Sequence, residues 1–450
     1  MITPSRVLLP SDVFPPRCGG AGWSAHALAL ALIERGRTVT AIVPRRTTSD
    51  ERRTTKEMLP LRRSSFVVRH TEDVLGVPTI RVDYWAPRTP IIQNYFRYER
   101  FWPRLADVLI RELSERPAQS AIIHAQHVQT APAAIMAGQR LGVPVVVTVR
   151  DHWPWDYFST GLHGNCIPYG EQTWAALATD LAARFGPARG ALALPAIPYL
   201  LAHVRRRQQA LRQASAVIAV SDYVAHRLDG LVAPQRLHVL PNIVDLAAID
   251  AVIAKPQTTV AHGTPYLLFV GKLERNKGAH LLIDIFRVLR LEMGDEQASN
   301  LRSPISNLQL VVAGSGRLRP ELERELAALG VRTHFDWVDH DEVLRLMAGC
   351  ELLLFPSAWG EPLSRVPLEA SACAAAILAM PTGGTPSIIT DAVSGALEPT
   401  PARFARRMAA LLAQPEQRQA LGREARRNAE RRFAKDVVVQ QVEALYRSLL

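Results

Sequence analysis

Short apolar runs alternate with longer amphipathic stretches along most of this chain. SRVLLP reads as a buried strand, PPRCGGAG as a glycine-bearing loop, and WSAHALALALIERG as a helix closed by Gly36. TVTAIVP, AIIH (121–124), VPVVVTV (143–149), AVIAV (216–220) and RLHVL (236–240) supply further strands. Near-continuous apolar strands separated by helices predict a parallel sheet covered on both faces. Residues 246–264 begin helically and end in polar, glycine-containing chain, the pattern of a linker. The alternation then restarts with strand YLLFVG (266–271), helix KGAHLLIDIFRVLR, strand LQLVVAG (308–314) and helix LRPELERELAALG, ended by Gly330. LLLFPS (352–357) and AAILAM (375–380) are later strands. Two β/α domains joined by a linker predict a cleft between them. Residues 291–307 read as a surface loop, and the proline-broken apolar run within 153–200 as packed helix, with membrane contact or the shaping of acceptor entry as the other readings. In AKDVVVQQVEALYRSLL, Val438, Val442, Leu445 and Leu449 recur at helical spacing and predict a packed terminal helix.

Composition narrows the class. The chain has 450 residues, 48% hydrophobic and 21% charged, which suits large globular cores. No uninterrupted apolar run reaches the roughly 18 residues of a membrane span, and the N-terminal run is too short for a signal peptide. Cys18, Cys166, Cys350 and Cys373 lack metal or redox spacing and fit free thiols in a reducing compartment. The net charge of +11 favours anionic partners. Arg45, Arg46, Arg52, Arg53, Lys56, Arg62, Arg63 and Arg69 crowd one stretch, and Arg205, Arg206 and Arg207 another. Solvated surface is the ordinary account of such charge, and contact with an anionic membrane leaflet is the other. No zinc-finger spacing or RNA-binding aromatic signature accompanies it, so nucleic acid is not an expected partner.

The chemistry-bearing residues cluster in loops after strands. YLLFV leads into Gly271-Lys272-Leu273-Glu274-Arg275-Asn276-Lys277-Gly278, with Asn276 placed to cap the next helix and Lys277 in its first turn. A cation there opposes the helix dipole by roughly 0.3–1 kcal/mol unless an anion offsets it. Lys272 and Lys277 therefore suit flanking a diphosphate, and two solvated lysines are the plain alternative. LLLFPS leads into Ala358-Trp359-Gly360-Glu361-Pro362-Leu363-Ser364-Arg365-Val366-Pro367-Leu368-Glu369. Pro367 suits a first helical position, which puts Glu369 in the first turn and Glu361 in the loop before it. Both lie past a parallel strand, where open α/β sheets bind ligands. Thr382-Gly383-Gly384-Thr385-Pro386 and Gly19-Gly20-Ala21-Gly22 let backbone approach a ligand. His124 ends a strand, with Gln126 and His127 just beyond. Arg150-Asp151-His152-Trp153-Pro154-Trp155 follows the next strand, and aromatics beside polar groups suit sugar faces.

Together these segments resemble the family-4 retaining glycosyltransferases of GT-B fold. GKLERNKG is similar to that family's G-[RK]-L-x3-K-G motif, EPLSRVPLE to its E-x7-E motif, and TGGTPSII to its GG-x-P-E-[IL] segment. VIAVSDYVAHRL and VLPNIVD resemble the family's approach to the interdomain linker. Departures stand at Lys272 (often Arg), Gln126 (often the second His of H-x-H), Arg150 (often His), Trp337 (often Gly) and Ser387 (often Glu).

The resemblance implies an α/β, GT-B architecture of two Rossmann-like β/α/β domains facing across a cleft, with the C-terminal helix crossing back. Residues 1–245 with 434–450 would form the acceptor domain, 246–264 the linker and 265–433 the nucleotide-sugar domain. Lys272, Lys277, Glu361, His124 and His127 are the implied catalytic residues. Gly271, Lys272, Lys277, Trp337, Glu361, Leu363, Ser364, Arg365, Glu369, Gly383 and Gly384 would hold the donor. Gly19, Gly20, His124, Gln126, His127 and Asp151 would line the acceptor side. The implied donor is a UDP- or GDP-sugar, with no permanently bound cofactor and no metal, and the acceptor a glycan, a lipid-linked or a small molecule. The expected location is cytoplasmic, including the inner face of the cell membrane. A catalytically silent nucleotide-sugar-binding subunit, a glycan phosphorylase and a glycosidase are the alternatives.

Overall fold

The computed structural model describes residues 4–16, 18–47, 69–115, 120–164, 167–168, 171–256, 264–299 and 308–450. Arg52, Arg53, Lys56, Arg62, Arg63 and Cys166 lie outside them. The first half carries β1 (Arg6–Pro10), β2 (Thr38–Arg46), β3 (Arg69–Val74), β4 (Val77–Tyr84), β5 (Ala121–Ala125), β6 (Val145–Val149), the short antiparallel pair β7 (Leu162–His163) and β8 (Ile167–Pro168), β9 (Ala216–Ala219) and β10 (Leu237–Val239). Eight of these form one sheet in the order β10-β9-β6-β5-β1-β2-β4-β3. Every pairing in it is parallel except β3 on β4. The central strands β1 and β6 are buried along their whole length, as their mainly apolar sequences favour, and Arg6 at the start of β1 is buried with Glu112. β3, RHTEDV, is polar and sits at the edge, where charge discourages further pairing.

The second half carries β11 (Tyr266–Val270), β12 (Gln309–Ala313), β13 (Thr333–Asp336), β14 (Leu352–Phe355), β15 (Ile377–Ala379) and β16 (Ala396–Leu397). They form an all-parallel sheet in the order β13-β12-β11-β14-β15-β16. In both sheets the strand order reverses beside the first strand, so crevices open at the carboxyl ends of the strands.

The chain crosses between the halves at two adjacent points. Val244 bridges Ala434, with Val244 N–H donating to Phe433 O and Lys435 N–H to Val244 O. The terminal helix Lys435–Leu449 then returns to the first half. Its Val438, Val439, Val442, Leu445 and Tyr446 pack with Ala25, Leu28 and Leu32 of helix Gly20–Glu34. Burying each large apolar side chain contributes roughly 1.5–3 kcal/mol, so one charge at Val442 would undock the helix.

Several expectations need correction. Residues 291–299 continue helix Leu281–Ser299 rather than forming a loop; no proline interrupts LEMGDEQAS, and most of its residues are good helix formers. Asn276 does not cap that helix, and Lys277 is not in its first turn. Arg275–Lys277 form a 3₁₀ turn, Gly278 follows at φ +72°, and the helix begins at Leu281. Pro367 is the third residue of helix Arg365–Ala372, where its missing N–H still costs no intrahelical bond, and Glu369 falls one turn in. Arg207 is not part of a solvated patch. It is buried over the rings of Trp153 and Tyr157 and donates to Trp153 O at 2.8 Å.

Candidate active site

The loops after β11, β14 and β15 meet where the second half faces the first. Gly278 makes this possible. A Cβ there would lie 1.7 Å from Pro356 O, so only glycine lets the turn after β11 reach the end of β14. That contact brings Lys277 to Glu361, Nζ to Oε1 at 2.8 Å, and lays its ammonium 5.3 Å from the Trp359 ring centroid. Ser357 Oγ donates to the same oxygen at 2.9 Å. Glu361 is only 5% exposed. Burial alone would raise its pKa, but the Lys277 charge and hydrogen bonds from Lys277, Ser357 and Ser364 hold it below the usual carboxylate range. Gly383, at φ +55°, packs against the Glu361 backbone, and Gly384 N–H donates to Glu361 O at 2.6 Å.

Glu369 is the second buried carboxylate, 6% exposed. Arg365 holds it through Nε and Nη2 at 3.0 and 2.6 Å, and His340 Nε2 lies 3.1 Å away. Burial would raise its pKa as well; His340 and Arg365 together lower it. A cavity of about 310 Å³ opens beside this group, between the two halves. Arg365, Glu369 and His340 line one wall, and Trp23, His26 and Asn242 the other. This volume lies within the range of small-molecule sites. Lys272, Lys277 and Glu361 do not line it. Leu363 is buried and Ser364 half-buried at the start of the same helix. Lys272 and Gly271 stand at the exposed end of β11, and Lys272 has no ion pair among the described residues. Trp337 is 73% exposed, outside the cavity wall.

The first half grips the Glu361 loop directly. His152 Nε2 donates to Gly360 O at 2.7 Å, its ring lies 5.1 Å from that of Trp359, and its Nδ1 accepts from Trp155 Nε1 at 2.9 Å. Ser221 Oγ donates to Pro362 O, and Ser387 Oγ to Asp222 at 2.9 Å. The last contact explains Ser387, since a glutamate there would face Asp222 with like charge. Gly19 and Gly20 are exposed at the start of helix Gly20–Glu34, and a Cβ on Gly20 would lie 3.0 Å from Arg365 Cδ.

His127 sits at the carboxyl end of β5 between two carboxylates, Asp12 at 2.8 Å on Nδ1 and Asp151 at 2.5 Å on Nε2. Burial would lower its pKa, but the two aspartates raise it to about 10, so it is an imidazolium. For Asp12, burial is outweighed chiefly by His127 and also by Arg97, which hold it low. Gln126 is buried beside this cluster, and its side-chain amide has no partner among the described residues. The expectation for His124 is corrected. It is 0% exposed, bonded to Thr148 Oγ1 at 2.7 Å and Tyr446 Oη at 2.6 Å, and burial pushes its pKa well down. It anchors the terminal helix and has no face open to a substrate. Sequence reasoning missed Asp12 and His340, which reach the site from segments that carry no motif, and named His152 only as part of an aromatic stretch suited to sugar faces.

Comparison with known proteins agrees with this two-sheet architecture. The model of a family described as Glycosyltransferase Family 4 matches residues 18–248, and one described as Glycosyl transferases group 1 matches residues 253–428. The D-inositol 3-phosphate glycosyltransferase of Jonesia denitrificans is 26% identical over 355 residues, 75% of this chain and 74% of its own length. The alpha-maltose-1-phosphate synthase of Mycobacterium tuberculosis is 27% identical over 270 residues, 54% of this chain and 65% of its own. Among solved structures, Anabaena HepE in complex with UDP superposes with a TM-score of 0.63 at 17% identity, covering 98% of this chain and 100% of that one. The sucrose-phosphate synthase of Thermosynechococcus elongatus gives 0.62 at 18% identity, covering 99% of each.

Proposed function

This chain belongs to glycosyltransferase family 4, with the GT-B fold, and from that premise we propose that it transfers a sugar from a nucleotide diphosphate to an acceptor hydroxyl with retention at the anomeric carbon. The observation that carries the reading is the pairing of Lys277 with buried Glu361, on the loop that leads directly into the helix whose Arg365 and Glu369 wall the cavity. The nucleoside enters that cavity, and Glu369 accepts the ribose hydroxyls. Lys272 and Lys277 receive the diphosphate. Two cations and the backbone N–H of Gly383 then stabilise the charge that builds on the leaving oxygen. A protein of the same fold, Anabaena HepE, crystallised with UDP and with UDP and glucose, supports a nucleotide-sugar donor.

In the transfer, the bond from the anomeric carbon to the diphosphate oxygen breaks, and that oxygen keeps the electron pair. The acceptor oxygen bonds the same face of the sugar, and its proton passes to the departing phosphate. His127 is not the base, because an imidazolium between two carboxylates has no free lone pair. It orients Asp151 toward the acceptor. In this reading residues 1–245 with 434–450 bind the acceptor, 265–433 the donor, and 246–264 link them. Protein cations carry the charge neutralisation without a metal ion. The test is a screen of UDP-, GDP-, ADP- and TDP-sugars by thermal shift, followed by NMR of the product's anomeric configuration. Retention supports the reading; inversion, or no stabilisation by any nucleotide, overturns it.

A further inference from the structure

Seven aromatic residues and four arginines fall between Tyr84 and Arg104, directly after β4. This segment lies at the carboxyl end of the first sheet, the end that also presents Asp12, His127 and Asp151. It contains a recess of about 100 Å³ lined by Tyr84, Trp85, Phe96, Arg100, Phe101 and Arg104. That is the liquid volume of roughly three waters, the scale of a phosphate group rather than of a sugar ring. Among the described residues no carboxylate lines the recess.

Several arginines elsewhere in the chain are neutralised by a carboxylate. Arg6, Arg35, Arg37, Arg45, Arg81 and Arg184 each meet an acidic side chain. Arg97, Arg100 and Arg104 have no such ion pair among the described residues. Arg100, in the turn before helix Trp102–Glu115, and Arg104, in that helix's first turn, line the same recess, so their like charges face one space. Arg100 is held over the Phe96 ring at 5.1 Å, and Phe96 packs edge-on against Trp85 at 5.4 Å. Arg97 Nε is buried without a hydrogen-bond partner among the described residues. Its charge acts on both Tyr84, which lines the recess, and Asp12, which holds His127.

We propose that this recess binds a phosphate group of the acceptor, with Arg100 and Arg104 on the phosphate oxygens and Trp85 and Phe96 beside the adjoining sugar or polyol. The inference rests on the first half being the acceptor side. Guanidinium forks match phosphate geometry, and a charge-assisted contact of this kind is worth about tenfold or more in affinity.

The test uses the full chain saturated with whichever of UDP, GDP, ADP or TDP raises its melting temperature. Glucose, glucose 6-phosphate and glucuronate are titrated in turn, and vesicles of phosphatidylcholine with and without phosphatidic acid are tested by co-sedimentation. The expected result is tighter binding of a phosphate probe than of its neutral counterpart, by about tenfold or more. R100A/R104A should lose that preference while keeping nucleotide affinity and melting temperature. Preference for glucose 6-phosphate without vesicle binding assigns a free phosphate ester, and phosphatidic acid binding that R100A/R104A removes assigns a lipid-linked one. No phosphate preference, a stronger preference for glucuronate, or a preference that R100A/R104A retains overturns the proposal. Failure to bind any nucleotide would instead undo the donor reading itself.

Discussion

The ammonium of Lys277 lies 2.8 Å from Glu361 Oε1 and joins the turn after β11 to the loop after β14. Removing Lys277 therefore strands a buried carboxylate that keeps only its hydroxyl contacts. Because the lysine is partly exposed, we expect Lys277→Ala to cost about 1–3 kcal/mol of stability besides abolishing turnover. Lys277→Ala with Glu361→Ala should recover part of the stability and none of the turnover. Denaturant unfolding alongside initial rates checks both. Equal stabilities for the single and double variants would show the pair to be energetically idle.

Gly278 and Gly330 have nearly the same backbone, at φ +72° and +73°, in different surroundings. A Cβ on Gly278 collides with Pro356 O, while one on Gly330 meets nothing within 4 Å. Gly330→Ala should cost about 1–2 kcal/mol from backbone strain alone. Gly278→Ala must cost more and also displace Lys277, so nucleotide affinity should fall with stability. Comparing the two melting temperatures, with a nucleotide titration of each variant, tests the difference.

His152 reads pH through the interface. It donates from Nε2 to Gly360 O and accepts at Nδ1 from the Trp155 indole, an arrangement open only to the neutral ring. Burial lowers its pKa. Its stabilising contribution is therefore complete above the unfolded value of about 6.5 and is lost as pH falls through the lower folded value. The donor kcat/KM should show an acid limb below about pH 6.5 that flattens in His152→Gln. An unchanged limb in that variant would assign it to another group.

His127 carries the opposite sign. With its pKa raised to about 10 by Asp12 and Asp151, its contribution is full below about pH 6.5 and disappears as pH rises through about 10. Thermal unfolding between those limits should show a decline in wild type that is absent in His127→Gln. A flat wild-type profile would mean that the ring is neutral.

Much of the scaffold was legible in the sequence because its strands are uninterrupted apolar runs. YLLFV and VVVTV can only be central strands of a covered sheet. β13, THFD, and β3, RHTEDV, escaped because they are polar strands at sheet edges, where burial imposes no pattern. The motif loops announced Glu361, Glu369, Gly383 and Gly384 through local glycine and carboxylate spacing. The turn at Lys277 was misread because its shape is set by Pro356, 78 residues downstream of Gly278 and invisible to local spacing. The Asp12–His127–Asp151 cluster draws on three strand ends that only the folded sheet brings together. The same holds for His124, whose partner Tyr446 lies on the returning terminal helix.

Lys272 offers the most direct test of the donor site, since it is exposed, carries no ion pair among the described residues and can be changed without disturbing the core. Isothermal titration of the nucleoside diphosphate that best stabilises the wild type, repeated on Lys272→Ala, measures its hold on the phosphates. The account predicts an affinity loss of about tenfold or more with an unchanged melting temperature. Equal affinity in the two proteins would contradict it.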